Sequence, residues 1–513
     1  MTELNENNNE LTRRRFLKTA GGAGALAGVA ASGLFFGTKR LEAGEIPQKW
    51  DEAVDVVIIG SGFAGLAAAI EAKQAGASVV IIEKMPLPGG NSIINGGLMA
   101  GAGTPLQSKE KVDDSADLMY QDMVKAGLGL NHPDLAMMLA KHSAEAVAWT
   151  VALGAQYQER NTHLGGHSVP RSYYTTNNSG AGIVHPQLKK VKELGVPLIK
   201  KCFLDRILQD DDGRVKGVRV YEKYQFPKAG SGILKTIRAN RAVILAAGGF
   251  CQDVPFRKLQ DPKIDENVAS TNHPGATGEC LIEALRLHSN PIQLSWIQLG
   301  PWSCPHEKGM GIGYMFALSA AFPYGVMVAP KTGERFINEL ANRKIRADAI
   351  IKTGAWAVGI ADQEGVRRVG KLDTMLERGI VKKFETLDGL AEEFKISREA
   401  LRKTVAEYNA DVRSGKDRVF GKPFQKDAKP LARAPFYGMH LWPKVHHTMG
   451  GVQIDTGARA LDLYQKVIPG FYAAGEITGG IHGAVRLGSV AVTDCIVFGR
   501  IAGKNAAKER PWT

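Results

Sequence analysis

The stretch "VDVVIIGSGFAGLAAAIEAKQAGASVVIIEK", residues 54–84, restricts the fold more than any other part of this 513-residue chain. Val56, Val57, Ile58 and Ile59 form an unbroken apolar run, the pattern of a parallel strand buried on both faces. Gly60, Gly62 and Gly65 follow at G-x-G-x-x-G spacing, with Ala64 inside the turn. Gly60 permits the tight turn, Gly62 lets the backbone approach a pyrophosphate, and Gly65 lets the helix pack on the strand. The helix that follows aims its free N–H groups at the phosphates. A second apolar run closes on Glu83, 23 residues after Gly60, with Lys84 beside it. A carboxylate there accepts hydrogen bonds from ribose hydroxyls. Strand, turn, helix, strand and acid in one unit predict a dinucleotide site on an α/β, Rossmann-like domain.

The next segment separates FAD from NAD. "MPLPGGNSIINGGLMAGAG" follows Glu83 and places Gly90, Asn91, Ser92, Gly96 and Gly97 in a second glycine-rich loop. Such a loop suits a ligand that extends past the first unit, as the ribityl and isoalloxazine parts of FAD do. Two later segments, "RAVILAAGGF" and "GFYAAGEITGGIHGAVRLGSVAVTDCIVFGRIAG", read as apolar strands ending in small-residue turns. They are expected to bring Ala247, Gly248, Gly475, Glu476, Ser489 and Val490 to the same ligand.

The amino terminus carries "TRRRFLKTAGGAGALAGVAASGLFFG" from Thr12. Paired arginines precede a weakly apolar, Gly/Ala-rich run, and small residues follow near Ala43. Residues 1–43 are read as a cleaved twin-arginine export signal, which predicts a periplasmic protein without a stable membrane anchor. That export route carries folded proteins, which fits a cofactor inserted beforehand. The net charge of +13 comes without any basic–aromatic cluster, so an anionic substrate or acidic partner is expected and nucleic acid is not. Five cysteines, odd in number and scattered, imply no disulfide framework. No C-x-x-C-H motif occurs, so no covalent haem is expected in this chain. Cys304 and His306 are two isolated ligand types, and no metal site is expected.

With "GGNS", "STNHPGATGE", "GERFINELANR", "HHTMGG" and "AAGEITGGIHGAVRLG" in view, the chain resembles the soluble fumarate reductase and flavocytochrome c flavoproteins, with urocanate and other 2-enoate reductases among them. The resemblance runs from about residue 51 to the carboxyl end. It implies an FAD domain in two parts, residues 50–297 and 446–513, interrupted by an α+β capping (clamp) domain over 298–445. In the related succinate dehydrogenases a histidine of the first glycine-rich loop binds FAD covalently. Asn91 and Ser92 stand in that region here, which implies noncovalent FAD. The family's haem domain is not seen in this sequence, so electrons are expected from a separate c-type cytochrome.

The resemblance also assigns chemistry. Reduction of a carbon–carbon double bond beside a carboxylate needs a hydride, a proton, and cations to steady the carboxylate. Arg343 matches the family's proton donor, His447 its carboxylate-binding histidine and Arg486 its carboxylate-binding arginine. Arg346 is the second choice as donor; His446, His482 and His185 are read as structural. Counted without gaps, the family's Thr–Glu pair falls on Leu318 and Ser319 and its relay arginine on Phe322. Its "QTHP" region reads Gln298, Leu299, Gly300, Pro301. Half of a dicarboxylate clamp is therefore missing, and apolar "MGIGYMFALSAAFPYG" stands in its place. A small monocarboxylate such as an acrylate, methacrylate, crotonate or cinnamate type is expected. Fumarate reduction and ketone or steroid dehydrogenation on the same fold are the alternatives. Tyr173, Tyr174, Tyr314 and Tyr324 are unranked candidates for donors.

Overall fold

The computed structural model describes residues 46–512; the export signal expected at 1–43 lies outside the described residues. The apolar run at Val56–Ile59 is the buried half of the strand Glu52–Ile59. It has a parallel neighbour on each side, Val79–Glu83 and Ile233–Leu245. Further parallel strands, Val467–Ala473 and Leu198–Lys200, extend the sheet outward. The strand read at "RAVIL" begins earlier, at Ile233, because its first half pairs antiparallel with Val215–Glu222.

The helix Phe63–Gln74 is buried along nearly its whole length, which explains its almost uniformly apolar sequence. The final helix, Val490–Ala506, packs on it with Gly499 and Gly503 against the backbone at Ala64 and Ala68. A Cβ at either glycine would overlap that backbone, so small residues set the distance between these helices.

Residues between the two runs of the main sheet form a second, antiparallel sheet. Its order is Val326–Val328, Ala357–Asp362, Phe436–Leu441, Lys382–Phe384. Two helices, Leu387–Glu393 and Arg398–Ser414, lie between its last two strands in the chain. A buried charge network anchors the approach to Arg343. Arg335 donates to Glu339 at 2.8 and 2.7 Å and to Asp417 at 2.7 Å. Between the sheets, Ile297–Gly300 pairs with Lys444–Thr448 and sets Gln298 opposite His447. Among the described residues, no helix is long and apolar enough to cross a membrane.

Candidate active site

The first turn of the Rossmann unit opens a cleft of about 890 Å³. It is lined by Gly60, Gly62, Ala64, Glu83, Lys84, Gly90, Asn91, Ser92, Ala247, Gly248, Gly475 and Glu476. Gly60 has φ +102°, a conformation that only glycine adopts cheaply. Gly65 stays behind the wall, where a Cβ would strike the Gly60 carbonyl, so it performs the packing role its spacing implies. Glu83 accepts hydrogen bonds from the Ser61 amide at 3.2 Å and hydroxyl at 2.6 Å. Ser92 Oγ accepts from the Phe63 amide at 2.9 Å and so staples the second glycine-rich loop to the helix start. Asn91 Oδ1 accepts from the His273 amide at 2.7 Å. Lys84 is tied to Glu279 and Thr277. A long trough with positive-φ glycines and an acid at the second strand end fits a dinucleotide such as FAD.

A second cavity of about 910 Å³ shares Phe63, Asn91, Ser92, Glu476 and Cys495 with the first, so the two are continuous. It holds Arg343, His447, Arg486, Gly96 and Ser489. Arg343 opens the helix Arg343–Lys352, whose start is capped by Asn342 accepting from the Ile345 amide at 3.0 Å. Its Nη1 donates to Gln298 Oε1 at 2.9 Å, and its guanidinium lies 4.5 Å from the Trp302 ring centroid. Gln298 in turn donates to the Arg486 carbonyl at 3.0 Å, so one amide links both arginines. Burial, then the charges of Arg486 and Arg346, hold Arg343 well below the usual arginine range. Burial brings Arg486 down to about 10.

His447 is neutral, because burial brings it down to about 4. Its Nδ1 lies 3.4 Å from Glu476, while its Nε2 has no partner. Burial pushes the Glu476 carboxyl up, but His447 and the Thr448 amide at 3.0 Å outweigh it and hold it low. The Nδ1 proton therefore faces Glu476. Ile94, Leu98, Met310, Tyr314 and Leu318 supply the apolar part of the lining. Part of it comes from a π-helical turn at Ala317–Ala321, a feature that often marks functional sites.

The structure gathers the three proposed catalytic residues and most of the proposed cofactor residues. Gly97 packs against Ser179 behind the cleft, and Val490 is buried at the start of the final helix; neither lines a cavity. Arg346 does not line the second cavity. Of the four tyrosines, only Tyr314 lines it; Tyr324 bonds Asp427 at 3.1 Å in a separate charged pocket. His185 is exposed, and His482 bonds Asp494 at 3.1 Å. His446, read as structural, bonds Thr271 Oγ1 at 2.8 Å and lines the cavity beside His447. Strand alternation would put neighbours on opposite faces. A bulge in the pairing of Gln298–Leu299 with Val445–His447 removes that constraint. Sequence reasoning also missed Trp302 and, in "STNHPGATGE", Thr271, Asn272 and His273; that motif was itself the available signal.

A dinucleotide trough opening into a cation-lined, apolar-walled cavity defines a flavin-dependent oxidoreductase. Residues 55–492 match the family described as FAD binding domain. The chain is 42% identical over 506 residues to the acrylate reductase flavoprotein subunit of Shewanella woodyi, covering 97% of this chain and 99% of that one. It is 37% identical over 463 residues to a fumarate reductase (cytochrome) of Shewanella frigidimarina, covering 89% and 77%. A solved flavocytochrome c3 fumarate reductase in its open conformation is similar at 34% identity and TM-score 0.72, covering 90% of this chain and 79% of that one. The chain belongs to the flavocytochrome c and fumarate reductase flavoprotein family: it binds FAD and is an FAD-dependent oxidoreductase acting on CH–CH groups.

Proposed function

We propose that this protein reduces the carbon–carbon double bond of a small 2-enoate monocarboxylate. The observation that carries this reading is a pair of buried arginines, Arg343 and Arg486, in a cavity whose lining also includes Ile94, Leu98, Met310, Tyr314 and Leu318. Neither is ion-paired with a carboxylate among the described residues. Buried cations without an acid partner are costly unless a ligand anion supplies one. Arg343 and Arg486 are the arginines of the lining, and Ile94, Leu98, Met310 and Leu318 offer a second carboxylate only carbon. A second carboxylate would be buried there unpaired, at a cost of several kcal/mol. The acrylate reductase relative supports the same substrate class.

FAD would supply the two-electron chemistry, delivering a hydride to the β-carbon. Arg343 gives its proton to the α-carbon, and its weakened hold on that proton suits the task. Arg486 grips the substrate carboxylate through paired hydrogen bonds. His447, with its Nδ1 proton turned to Glu476, offers Nε2 as a lone pair; it must take up a proton to join the grip. Trp302 and the apolar wall keep water from the reacting carbons. Asn91 and Ser92 are engaged in hydrogen bonds, which supports noncovalent FAD. Residues 298–445 act as the cap that carries Arg343 to the site. The amino-terminal sequence supports twin-arginine export to the periplasm, and a separate c-type cytochrome would deliver electrons.

The test is anaerobic oxidation of reduced viologen by the holoprotein with acrylate, methacrylate, crotonate, cinnamate and fumarate. At least one monocarboxylate should outpace fumarate in kcat/KM by about a hundredfold or more, as several kcal/mol implies. Fumarate as the best substrate would overturn the reading. Arg343→Ala should abolish turnover yet leave FAD bound and reducible, whereas Arg486→Ala should weaken binding and turnover together.

A further inference from the structure

Arg346 follows Arg343 by one helical turn, at i+3 on the helix Arg343–Lys352. It is only 4% exposed. Its Nη1 donates to the Glu339 carbonyl at 3.1 Å, and its guanidinium lies 4.8 Å from the Phe322 ring centroid. Its Nε has no partner. The Glu339 carboxylate is engaged by Arg335, and no ion pair joins Arg346 to a carboxylate among the described residues. A buried, unpaired cation is expensive, and the substrate-binding scheme does not use this one.

We propose that Arg346 is a positioning residue that acts through its charge on Arg343, easing release of the Arg343 proton to the substrate. The inference rests on the proton-donor reading of Arg343. Side chains at i and i+3 are neighbours on a helix surface, so the two charges act on each other across one turn, with Arg343 against Trp302 and Arg346 against Phe322. Their repulsion is relieved when Arg343 gives up its proton. The positive end of the helix, where Arg343 sits, acts in the same sense.

Other groups face Arg343 as well. Arg486 approaches from the loop before the final helix, and His446, neutral through burial, from the strand Lys444–Thr448. Gln298 and Trp302 are uncharged. Burial, Arg486 and Arg346 all weaken the hold of Arg343 on its proton. Substrate changes the balance: its carboxylate offsets the charge of Arg486, the residue that grips it. Arg346 has only the nearby Glu339 carboxylate to offset its charge, and Arg335 and Lys422 already hold that carboxylate. In the loaded site it is the cation that continues to press on Arg343.

The test compares Arg346→Gln, which can keep a donor without the charge, with Arg346→Lys, which keeps the charge. Arg346→Met replaces Gln should that variant not fold. Two readouts are taken on the holoprotein: the pH profile of kcat with acrylate, and modification of Arg343 by phenylglyoxal without substrate, followed by peptide mass spectrometry. The reagent takes the neutral guanidine. In the neutral variant the alkaline limb of kcat should rise by about one pH unit or more. kcat near pH 7 should fall about three- to tenfold per unit, since a stronger hold on the proton makes a weaker acid. Arg343 should be modified several-fold more slowly, and Arg346→Lys should track the wild type in all three. Loss of kcat with an unmoved limb and unchanged modification would reduce Arg346 to a structural part and overturn the proposal, as would Lys behaving like Gln. If Arg343→Ala keeps its turnover, the proton-donor reading fails instead; the modification rates still report whether the two arginines are coupled.

Discussion

Replacing Gln298 distinguishes an Arg343 held as an acid from one that is simply held. Gln298 is 3% exposed, accepts from Arg343 Nη1 at 2.9 Å and donates to the Arg486 carbonyl at 3.0 Å. Gln298→Leu removes both bonds at similar volume. The bond from a charged donor is worth about 1.5–3 kcal/mol and the neutral one about 0.5–1.5 kcal/mol. A buried leucine returns about 1.5–2 kcal/mol. The holoprotein should therefore lose about 0–3 kcal/mol of stability in chemical denaturation. Arg343 would keep only the face of Trp302, and kcat should fall about 10- to 100-fold. Gln298→Glu is the sharper variant. A carboxylate against Arg343 pairs with it and holds the guanidinium at least as well, but it favours the protonated form. A general acid that clings to its proton is a poor one, so kcat should fall further than in the leucine variant. Its alkaline limb should also move up, measured across about pH 6 to 10. A glutamate variant as active as the leucine variant would refute the acid role of Arg343, whatever happens to stability.

Acid should release FAD, not FMN, from the purified protein; flavin that stays on the chain through denaturing electrophoresis would refute noncovalent binding and make His273, on the cleft wall, the first residue to map. Binding of propionate, a product-like anion, should take up a proton at His447, seen by calorimetry as a heat that depends on the buffer; no buffer dependence would contradict the tautomer derived from Glu476. Burial holds His447 and His440 down to about 4 and His167 to about 3, below the ordinary value near 6.5. A depressed pKa stabilises the fold above the unfolded value and loses that contribution as pH falls toward the folded one. Tm should therefore drop between about pH 6.5 and 3, less steeply in His167→Gln; equal slopes would exclude His167 as a contributor. Replacing Arg13, Arg14 and Arg15 together by lysine should leave the flavin-loaded protein in the cytoplasm; normal periplasmic activity would exclude the twin-arginine route.

The cofactor half of this molecule was legible in the sequence because its constraints are local. Gly60, Gly62 and Gly65 act within one turn, and Glu83 meets Ser61 through a strand pairing fixed by two apolar runs. The substrate half was legible only residue by residue. Arg343 and Arg486 stand out in their motifs, but what makes them a site is Gln298, which bridges them from a strand 45 residues before one and 188 before the other. No periodicity in the chain encodes that bridge. It depends on a two-strand pairing between segments on either side of the antiparallel sheet. The same pairing contains the bulge that turns His446 inward against strand alternation. The polar support of the site has the same character. Arg171, fully buried, binds Asp114 at 2.8 Å and lies 3.3 Å from His167, which meets the Gly488 carbonyl at 2.9 Å. An arginine just before the strand Ser172–Thr175 thus steadies the loop of Arg486 through a histidine that no motif marked. Because a bonded and a solvated arginine look alike in sequence, residue type indicates the chemistry on offer, and only long-range pairing decides which of those residues are brought to the substrate.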